Sequence, residues 1–488
     1  MTLVKCEVFT AVTDIRKLFN THENVLRNLE RYIEVEENRL NVLKRYLKLF
    51  TDEHEKMSSD GHKYVDHPIN SFTLIKRLST DFERLKTVAS EPTEFVWDRE
   101  MQYATEEDLT GAAVAISRLQ FVYKLNTTHL AEGNLQGVIG SPMTASDCYN
   151  LALMLYKQEH PDYNLHAAEW FEVALEKLNI EQYENTFTAT EVMTYIIKSY
   201  HRSDICLDSK AYEWAERLFV LKPNASTDFV MKLYEYAVKQ NKTDVNSTDI
   251  DLRSRYSALC CGETNVLAAN TSKLHCSYLR NIPFLKLAPI KMEEVHKDPN
   301  VFIFYDVLSD DEFQNIKTIA GPKLERAKVV GGTYSDSRIG KSAWLDDDVD
   351  VVAKLRRRTA DFTGLSMSHA ERLQVLNYGI GGHFDWHYDA FNSNHNNIGG
   401  NRIATVLFYM TDVTQGGATV FAHLNLTVTP KKGSALFWEN LQLSGEKDNK
   451  TLHAACPVLY GSKWGRYLHY LTPTAYSCYH TCNQLLQA

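Results

Sequence analysis

The 488-residue sequence has no run of about twenty apolar residues, which excludes a helical membrane span. It has only 12 Pro and 22 Gly, too few for a fibrous or low-complexity chain. It lacks any long Lys/Arg stripe and carries a formal charge of −9, so nucleic acid is excluded as the expected partner. The first residues, Met1 to Glu7, lack the apolar stretch of a secretory signal. Two features point to an oxidising compartment all the same. Asn126, Asn224, Asn241, Asn246, Asn270, Asn425 and Asn449 begin N-x-S/T triplets. The cysteines are grouped, with Cys260, Cys261 and Cys276 in one cluster and Cys456, Cys478 and Cys482 in another. We expect Cys261–Cys276 as one disulfide and Cys456 joined to Cys478 or Cys482. A mature chain whose signal has been removed reconciles these features.

What is present divides into parts, since the length suggests about three domains. Residues 1–135 read as helical. No Gly or Pro falls between Ile15 and Phe50, and Leu18, Val25, Leu29, Ile33, Leu40, Leu43, Leu47 and Phe50 recur at helical spacing. This pattern fits either one amphipathic helix packed on its own domain or a coiled coil joining two subunits. Asp60-Gly61 and His67-Pro68 punctuate the stretch before the next helix. Residues 142–240 predict helices near 144–158, 164–178, 189–202, 208–220 and 227–240. Ala167, Trp170 and Ala174 recur as Ala211, Trp214 and Leu218, which suggests a tetratricopeptide-like layout. Tyr156, Tyr163, Tyr195 and Tyr200 belong to a Tyr-rich set here. Such rings either fill a helical core or line a groove for a proline-rich peptide.

Residues 241–298 are a cysteine-bearing linker, and from residue 299 to 488 the texture is β. Val301–Tyr305 and Arg402–Tyr409 are rich in branched and aromatic residues, with Gly pairs between the strands. Many short strands with Gly turns indicate a sandwich or jelly roll. The fold class is therefore multidomain, with a helical front half and a β C-terminal domain.

The chemistry centres on residues 381–389, Gly-Gly-His-Phe-Asp-Trp-His-Tyr-Asp. On a regular strand, His383, Asp385, His387 and Asp389 share one face. His-x-Asp with a distant His is the 2-His-1-carboxylate triad that holds iron(II) and leaves positions open for a cosubstrate and oxygen. Either His383/Asp385 or His387/Asp389 can supply the pair. His453 lies downstream, followed ten residues later by Lys463, a cation able to anchor a cosubstrate carboxylate.

Leu373–Gly379 through Asp389, Gly400–Thr405, Gly416–Phe421, Pro430–Gly433 and His453–Val458 together resemble the α subunit of collagen prolyl 4-hydroxylase. His67–Asn70, Lys76–Leu78, Arg118–Gln120 and Gly133–Leu135 extend the likeness over nearly the whole chain. The resemblance implies a double-stranded β-helix and sets the register: His387, Asp389 and His453 on iron(II), and Lys463, Tyr378 and Thr405 on 2-oxoglutarate. Arg402 and His469 fall near the peptide substrate. The implied reaction is hydroxylation of peptidyl proline at C4 with O2 and 2-oxoglutarate, releasing succinate and CO2, with L-ascorbate maintaining the iron. The implied partners are a collagen-like peptide, a second copy through the N-terminal region, and protein disulfide isomerase as the β subunit of a heterotetramer of two α and two β chains in the endoplasmic reticulum lumen. The sequence departs from the family at Trp386, where Pro is usual, and in a shorter segment ending at Tyr467. It also has Thr194 and Ile197 where the family groove is richer in Tyr. These departures point to one alternative, a dioxygenase for a non-collagen proline-rich protein; a second, a catalytically silent peptide-binding subunit, is opposed by the complete set His387, Asp389, His453 and Lys463.

Overall fold

The structure is a computed structural model. It describes residues 12–90, 106–181, 185–203, 208–222, 247–263, 274–329, 332–379, 381–391 and 400–471. The helix expected at 227–240 and Cys478 and Cys482 lie outside these residues. Among the described residues, no helix is long and apolar enough to cross a membrane.

The chain divides into two compact units. Among the described residues, the first comprises 12–64 and 74–90. Its main element is the 49-residue helix α1 (Val12–Asp60), which ends at Gly61 in the left-handed region. Helix α4 (Phe82–Ala89) packs against α1. Glu53 on α1 accepts from the Tyr64 hydroxyl at 2.7 Å and pairs with Arg77. Lys76 and Asp81 form a buried ion pair at 2.9 Å. Along the sequence, the first unit gives way to the second within α2 (His62–Asp66) and resumes within α3 (Pro68–Lys76).

The second unit begins with helices α5 (Glu106–Tyr123), α6 (Thr127–Ala131), α7 (Ala145–Lys157), α8 (Pro161–Ile180), α9 (Ala189–Arg202) and α10 (Asp208–Leu221). A short hairpin of β1 (Asn134–Leu135) and β2 (Val138–Ile139) lies among them. Local chemistry sets the helix starts. Thr144 with Asp147 and Thr188 with Glu191 close capping boxes, and Pro161 opens α8. Consecutive helices from α7 to α10 pack on one another. Of the residues noted as a repeat, Ala167, Trp170 and Ala174 are fully buried and Ala211 and Leu218 nearly so, whereas Trp214 is half-buried.

Helix α11 (Ser247–Cys260) leads to the strands. These are β3 (Cys276–Leu279), β4 (Ile290–Lys297), β5 (Asn300–Tyr305), β6 (Glu325–Arg326), β7 (Arg338–Ile339), β8 (Lys341–Leu345), β9 (Leu373–Tyr378), β10 (His383–His387), β11 (Arg402–Tyr409), β12 (Gln415–Gly416), β13 (Thr419–Phe421), β14 (Leu426–Val428), β15 (Ala435–Glu439), β16 (His453–Ala455), β17 (Val458–Tyr460) and β18 (Lys463–Leu471). Helices α12 (Pro283–Leu287), α13 (Asp310–Ala320) and α14 (Asp350–Thr363) interrupt them. All pairings are antiparallel. One sheet runs β3-β4-β5-β15-β11-β18-β9-β8-β6 and a second runs β14-β13-β16-β10-β7.

Strand alternation builds two cores from the large sheet. On β11, Val406 and Phe408 join Leu468 and Tyr470 of β18 against Ile316 of α13 and Leu355 and Phe362 of α14. Leu407 and Tyr409 turn the other way, to Phe421, Val428 and Trp438, joining the two sheets. Each such buried side chain contributes about 1.5–3 kcal/mol.

The helical and sheet regions of this unit are tied together. The Arg118 guanidinium donates to the Gly381 carbonyl at 3.1 Å, and the Tyr123 hydroxyl donates to the Pro457 carbonyl at 2.6 Å. A disulfide joins Cys260 to Cys456, overturning both expected pairings of Cys261 and Cys456. The reason is tertiary. The end of α11 lies beside the residue after β16, with the two Cα atoms 5.6 Å apart although 196 residues separate them in sequence. Cys261 and Cys276 are exposed free thiols.

Candidate iron and cosubstrate site

Register places the two histidines. Strand β10 pairs with β16 so that His387 stands opposite His453, and their rings are 4.2 Å apart. Asp389, two residues past β10, turns inward and is buried. Its Oδ1 lies 3.7 Å from His387 Nε2 and its Oδ2 3.7 Å from His453 Nε2. One ligand atom from each of the three falls within 4.8 Å of the others, and among the described residues no other such cluster occurs.

Each imidazole is held from behind. His387 Nδ1 lies 2.7 Å from the Asp385 carbonyl and His453 Nδ1 2.9 Å from the Thr451 carbonyl. A carbonyl only accepts, so each Nδ1 carries the proton and each Nε2 presents a lone pair to the space it shares with the Asp389 carboxylate. His453 Nε2 is buried with no hydrogen-bond partner, which leaves a lone pair satisfied only by a further group. Burial, then the charge of His453, depresses His387 to about 3, so its ring is neutral at physiological pH. Burial works against charge on Asp389, but His453, His469, His387 and Arg402 outweigh it and hold the carboxyl below its usual range.

The single-face expectation for His383, Asp385, His387 and Asp389 does not hold. A register shift interrupts the β10–β16 ladder between Phe384 and His387, and Asp389 lies beyond the strand. The bulge breaks the two-residue alternation. His383 is buried with Nδ1 unpartnered, Asp385 is exposed, and neither meets His453. The structure brings His387, Asp389 and His453 together and leaves His383 and Asp385 out.

Thr405 is fully buried on β11 and donates to Asp389 Oδ2 at 2.7 Å. His469 Nδ1 lies 3.0 Å from the same hydroxyl, and burial depresses His469 to about 4. Arg402 grips Glu371 in a two-pronged ion pair at 2.6 and 2.9 Å. Lys463 opens β18 opposite Tyr378 of β9 and is 2 % exposed. Its Nζ donates to the Gly417 carbonyl at 2.6 Å and lies 5.6 and 5.9 Å from the Tyr378 and Tyr409 rings. Among the described residues it has no carboxylate partner, and burial pushes its ammonium down to about 7. The Tyr378 hydroxyl is buried without a hydrogen bond. Gly416, beside this cation, is required to be glycine. Its φ is +77°, and a Cβ there would lie 2.6 Å from the Pro457 carbonyl and the Tyr123 hydroxyl.

A cavity of about 780 Å³ opens onto His387, Asp389, Arg402 and His469 and continues past Arg338, Gln374, Trp386 and Trp344. Lys463, Tyr378 and Thr405 do not line it. Sequence reasoning missed Arg338, Glu371, Gln374 and Asn440, which reach the site only through sheet register. No local motif marks them. The tyrosines of the helical region are elsewhere. Tyr195 stacks on Phe171 at 5.2 Å and meets Tyr156 edge-on. Arg202 lies 4.7 Å over Tyr156, and Tyr163 is half-buried beside His160. Tyr200 is 1 % exposed and donates to Glu172 at 2.8 Å, so it fills the helical core instead of a groove.

Residues 373–468 match the 2OG-Fe(II) oxygenase superfamily. Sheet architecture, triad and match together define a 2-oxoglutarate- and iron(II)-dependent dioxygenase. Residues 11–137 match the prolyl 4-hydroxylase alpha-subunit N-terminal region. The chain is 37% identical to prolyl 4-hydroxylase subunit alpha-2 of Caenorhabditis elegans, over 95% of this chain and 91% of that one. It is 36% identical to subunit alpha-1 of Homo sapiens, over 94% and 93%. To subunit alpha-2 of Gallus gallus it is 37% identical, over 94% and 92%. The chain belongs to the prolyl 4-hydroxylase alpha subunits.

Proposed function

We propose that this chain hydroxylates peptidyl proline at C4, taking collagen-like X-Pro-Gly chains as substrate. The observation that carries this reading is the pairing of two unmet needs: a His-Asp-His set with a buried unpartnered Nε2, and a buried ammonium with no carboxylate. An isolated buried cation is costly, and an anionic cosubstrate removes that cost. His387, Asp389 and His453 would hold iron(II), and Lys463 would receive the distal carboxylate of 2-oxoglutarate with help from the Tyr378 hydroxyl. Bound iron and 2-oxoglutarate supply the oxidising power for inserting oxygen into a C–H bond. The chain's own residues orient. Thr405 and His469 steady Asp389, Glu371 steadies Arg402 at the cavity wall, and Arg402 and His469 face the peptide. L-Ascorbate is assigned to restoring iron oxidised in unproductive turnovers.

Helices α7 to α10 form the tetratricopeptide-like module that receives the proline-rich chain, with Tyr156, Tyr163 and Tyr195 as its stacking surface. The sheets form a double-stranded β-helix. The first unit joins two subunits: Ile33, Leu40 and Leu47 are exposed along α1 at seven-residue intervals, a coiled-coil seam. Protein disulfide isomerase is the assigned second subunit in a heterotetramer of two chains of each kind, within the endoplasmic reticulum lumen. The N-x-S/T acceptor triplets and the Cys260–Cys456 disulfide support that compartment.

The test is 2-oxoglutarate turnover with mass spectrometry of a (Pro-Pro-Gly) peptide, for wild type and His387→Ala. Hydroxyproline from the wild type alone supports the reading. Full activity in His387→Ala refutes the triad, and turnover only on proline peptides outside X-Pro-Gly context refutes the collagen assignment.

A further inference from the structure

Asn440, the residue after β15, is fully buried. Its backbone is pinned on both sides: its N–H donates to the Ile403 carbonyl at 2.8 Å, and its carbonyl accepts from Asp448 N–H at 3.0 Å. Its side-chain Nδ2 lies 2.9 Å from Thr405 Oγ1. That hydroxyl therefore has three polar neighbours, Asn440 Nδ2, Asp389 Oδ2 at 2.7 Å and His469 Nδ1 at 3.0 Å. It has one proton to give. An amide nitrogen only donates and an ionised carboxylate only accepts. The single arrangement that satisfies all three contacts sends the Thr405 proton to Asp389, while Thr405 accepts from Asn440 and from His469 Nδ1–H. With the amide reversed, Oδ1 would compete for that proton and leave the carboxylate without its donor.

We infer that Asn440 is a positioning residue: it directs the Thr405 hydroxyl onto Asp389 and so holds the carboxylate in its metal-binding orientation. The inference rests on the triad reading above. Partners behind metal ligands typically matter by 10- to 100-fold in metal affinity. Asn440 acts only through Thr405, so its effect must vanish when the hydroxyl is gone.

The experiment is Co(II) titration of the full chain by visible absorbance, on wild type, Asn440→Ala, Thr405→Val and the double variant, with folding checked by circular dichroism. Each single variant is expected to bind Co(II) about tenfold more weakly or worse. The double variant is expected to match Thr405→Val. Wild-type affinity in Asn440→Ala, or losses that multiply in the double variant, would overturn the inference. Asn440→Asp keeps the shape but places an acceptor against Thr405. It should lose affinity as well, and it serves where the alanine variant does not fold; wild-type affinity there also overturns the inference. His387→Ala separates the two levels. If it binds Co(II) as wild type does, the triad reading fails and Asn440 falls with it. If it loses binding while the Asn440 and Thr405 losses multiply, the triad stands and only the role of Asn440 is removed.

Discussion

Among the helices α5 to α10, buried charge meets a partner. Asp147 closes the capping box with Thr144, and Glu172 accepts from both Tyr200 and Trp214 at 2.8 Å. Trp170 donates to Gln120, which in turn donates to Thr127. The strand β18 behaves differently. Lys463 and Arg466 are both almost completely buried, and neither has a carboxylate partner among the described residues. They are three residues apart and so lie on opposite faces of the strand. Lys463 shares its face with Tyr467 and His469, toward the triad, whereas Arg466 shares its face with Leu468 and Tyr470, toward α13 and α14. Those polar groups of the helices are hydrogen-bonded, whereas β18 buries two cations without a counter-charge among the described residues, one beside the triad and one in the packed core. Their surroundings separate the two: Lys463 faces the triad, where an anion can reach it, and Arg466 faces the packed core, where its burial is a cost.

The sharpest way to break that distinction is Lys463→Met. Truncating one member of a buried charge pair costs about 2–5 kcal/mol, so 2-oxoglutarate affinity should fall by that amount while the unliganded protein melts higher. An unchanged KM for 2-oxoglutarate would place the cosubstrate elsewhere. The pH dependence has a definite sign. The folded ammonium titrates near 7, below its value in the unfolded chain, so the unfolded chain holds more protons above pH 7. The burial cost is fully present below pH 7, and this contribution to stability rises as pH climbs from there toward the unfolded value. Affinity for 2-oxoglutarate should weaken over the same interval, because the ligand needs the charged form. Isothermal titration and thermal melting between pH 6 and 9 check both trends.

Arg466→Met tests the other face. Replacing an unpaired buried ion by a hydrophobic side chain of similar length is expected to stabilise by about 1–4 kcal/mol, with KM for 2-oxoglutarate and peptide unchanged. Guanidinium chloride unfolding measures the gain. A destabilised variant would mean that the core supplies Arg466 with a counter-charge.

Chemistry carried by short stretches was legible before the fold. The β run Arg402–Tyr409 coincides with β11, four of the helices expected between 144 and 220 fall where α7 to α10 lie, and the run holding the triad's first two ligands stood out on residue type alone. What escaped depends on distance along the chain. Cys260 and Cys456 meet across 196 residues, and Glu371 reaches Arg402 only because the end of β9's lead-in lies beside β18 and β11. The bulge after Phe384 leaves no mark in the alternation of residue types, so His383 and Asp385 looked as eligible as His387 and Asp389. Tyr200 looked like its neighbours because periodicity cannot tell a core ring from a groove ring on a short helix.

That last case gives the smallest and most discriminating prediction for the helical region. Tyr200 is buried and donates to a half-buried glutamate that Trp214 also serves. Tyr200→Phe removes one hydrogen bond and keeps the ring, so it should cost about 0.5–1.5 kcal/mol of stability and leave peptide KM alone. Tyr156 is only partly buried, under the Arg202 guanidinium and edge-on to Tyr195. Tyr156→Ala should raise peptide KM several-fold, since a stacking ring contributes about 0.5–1.5 kcal/mol, and it should leave KM for 2-oxoglutarate unchanged. Melting curves and peptide kinetics on the two variants set core against groove directly. A peptide KM that rises in Tyr200→Phe and not in Tyr156→Ala would reverse the assignment and put the binding surface on the side of α9 that faces Glu172.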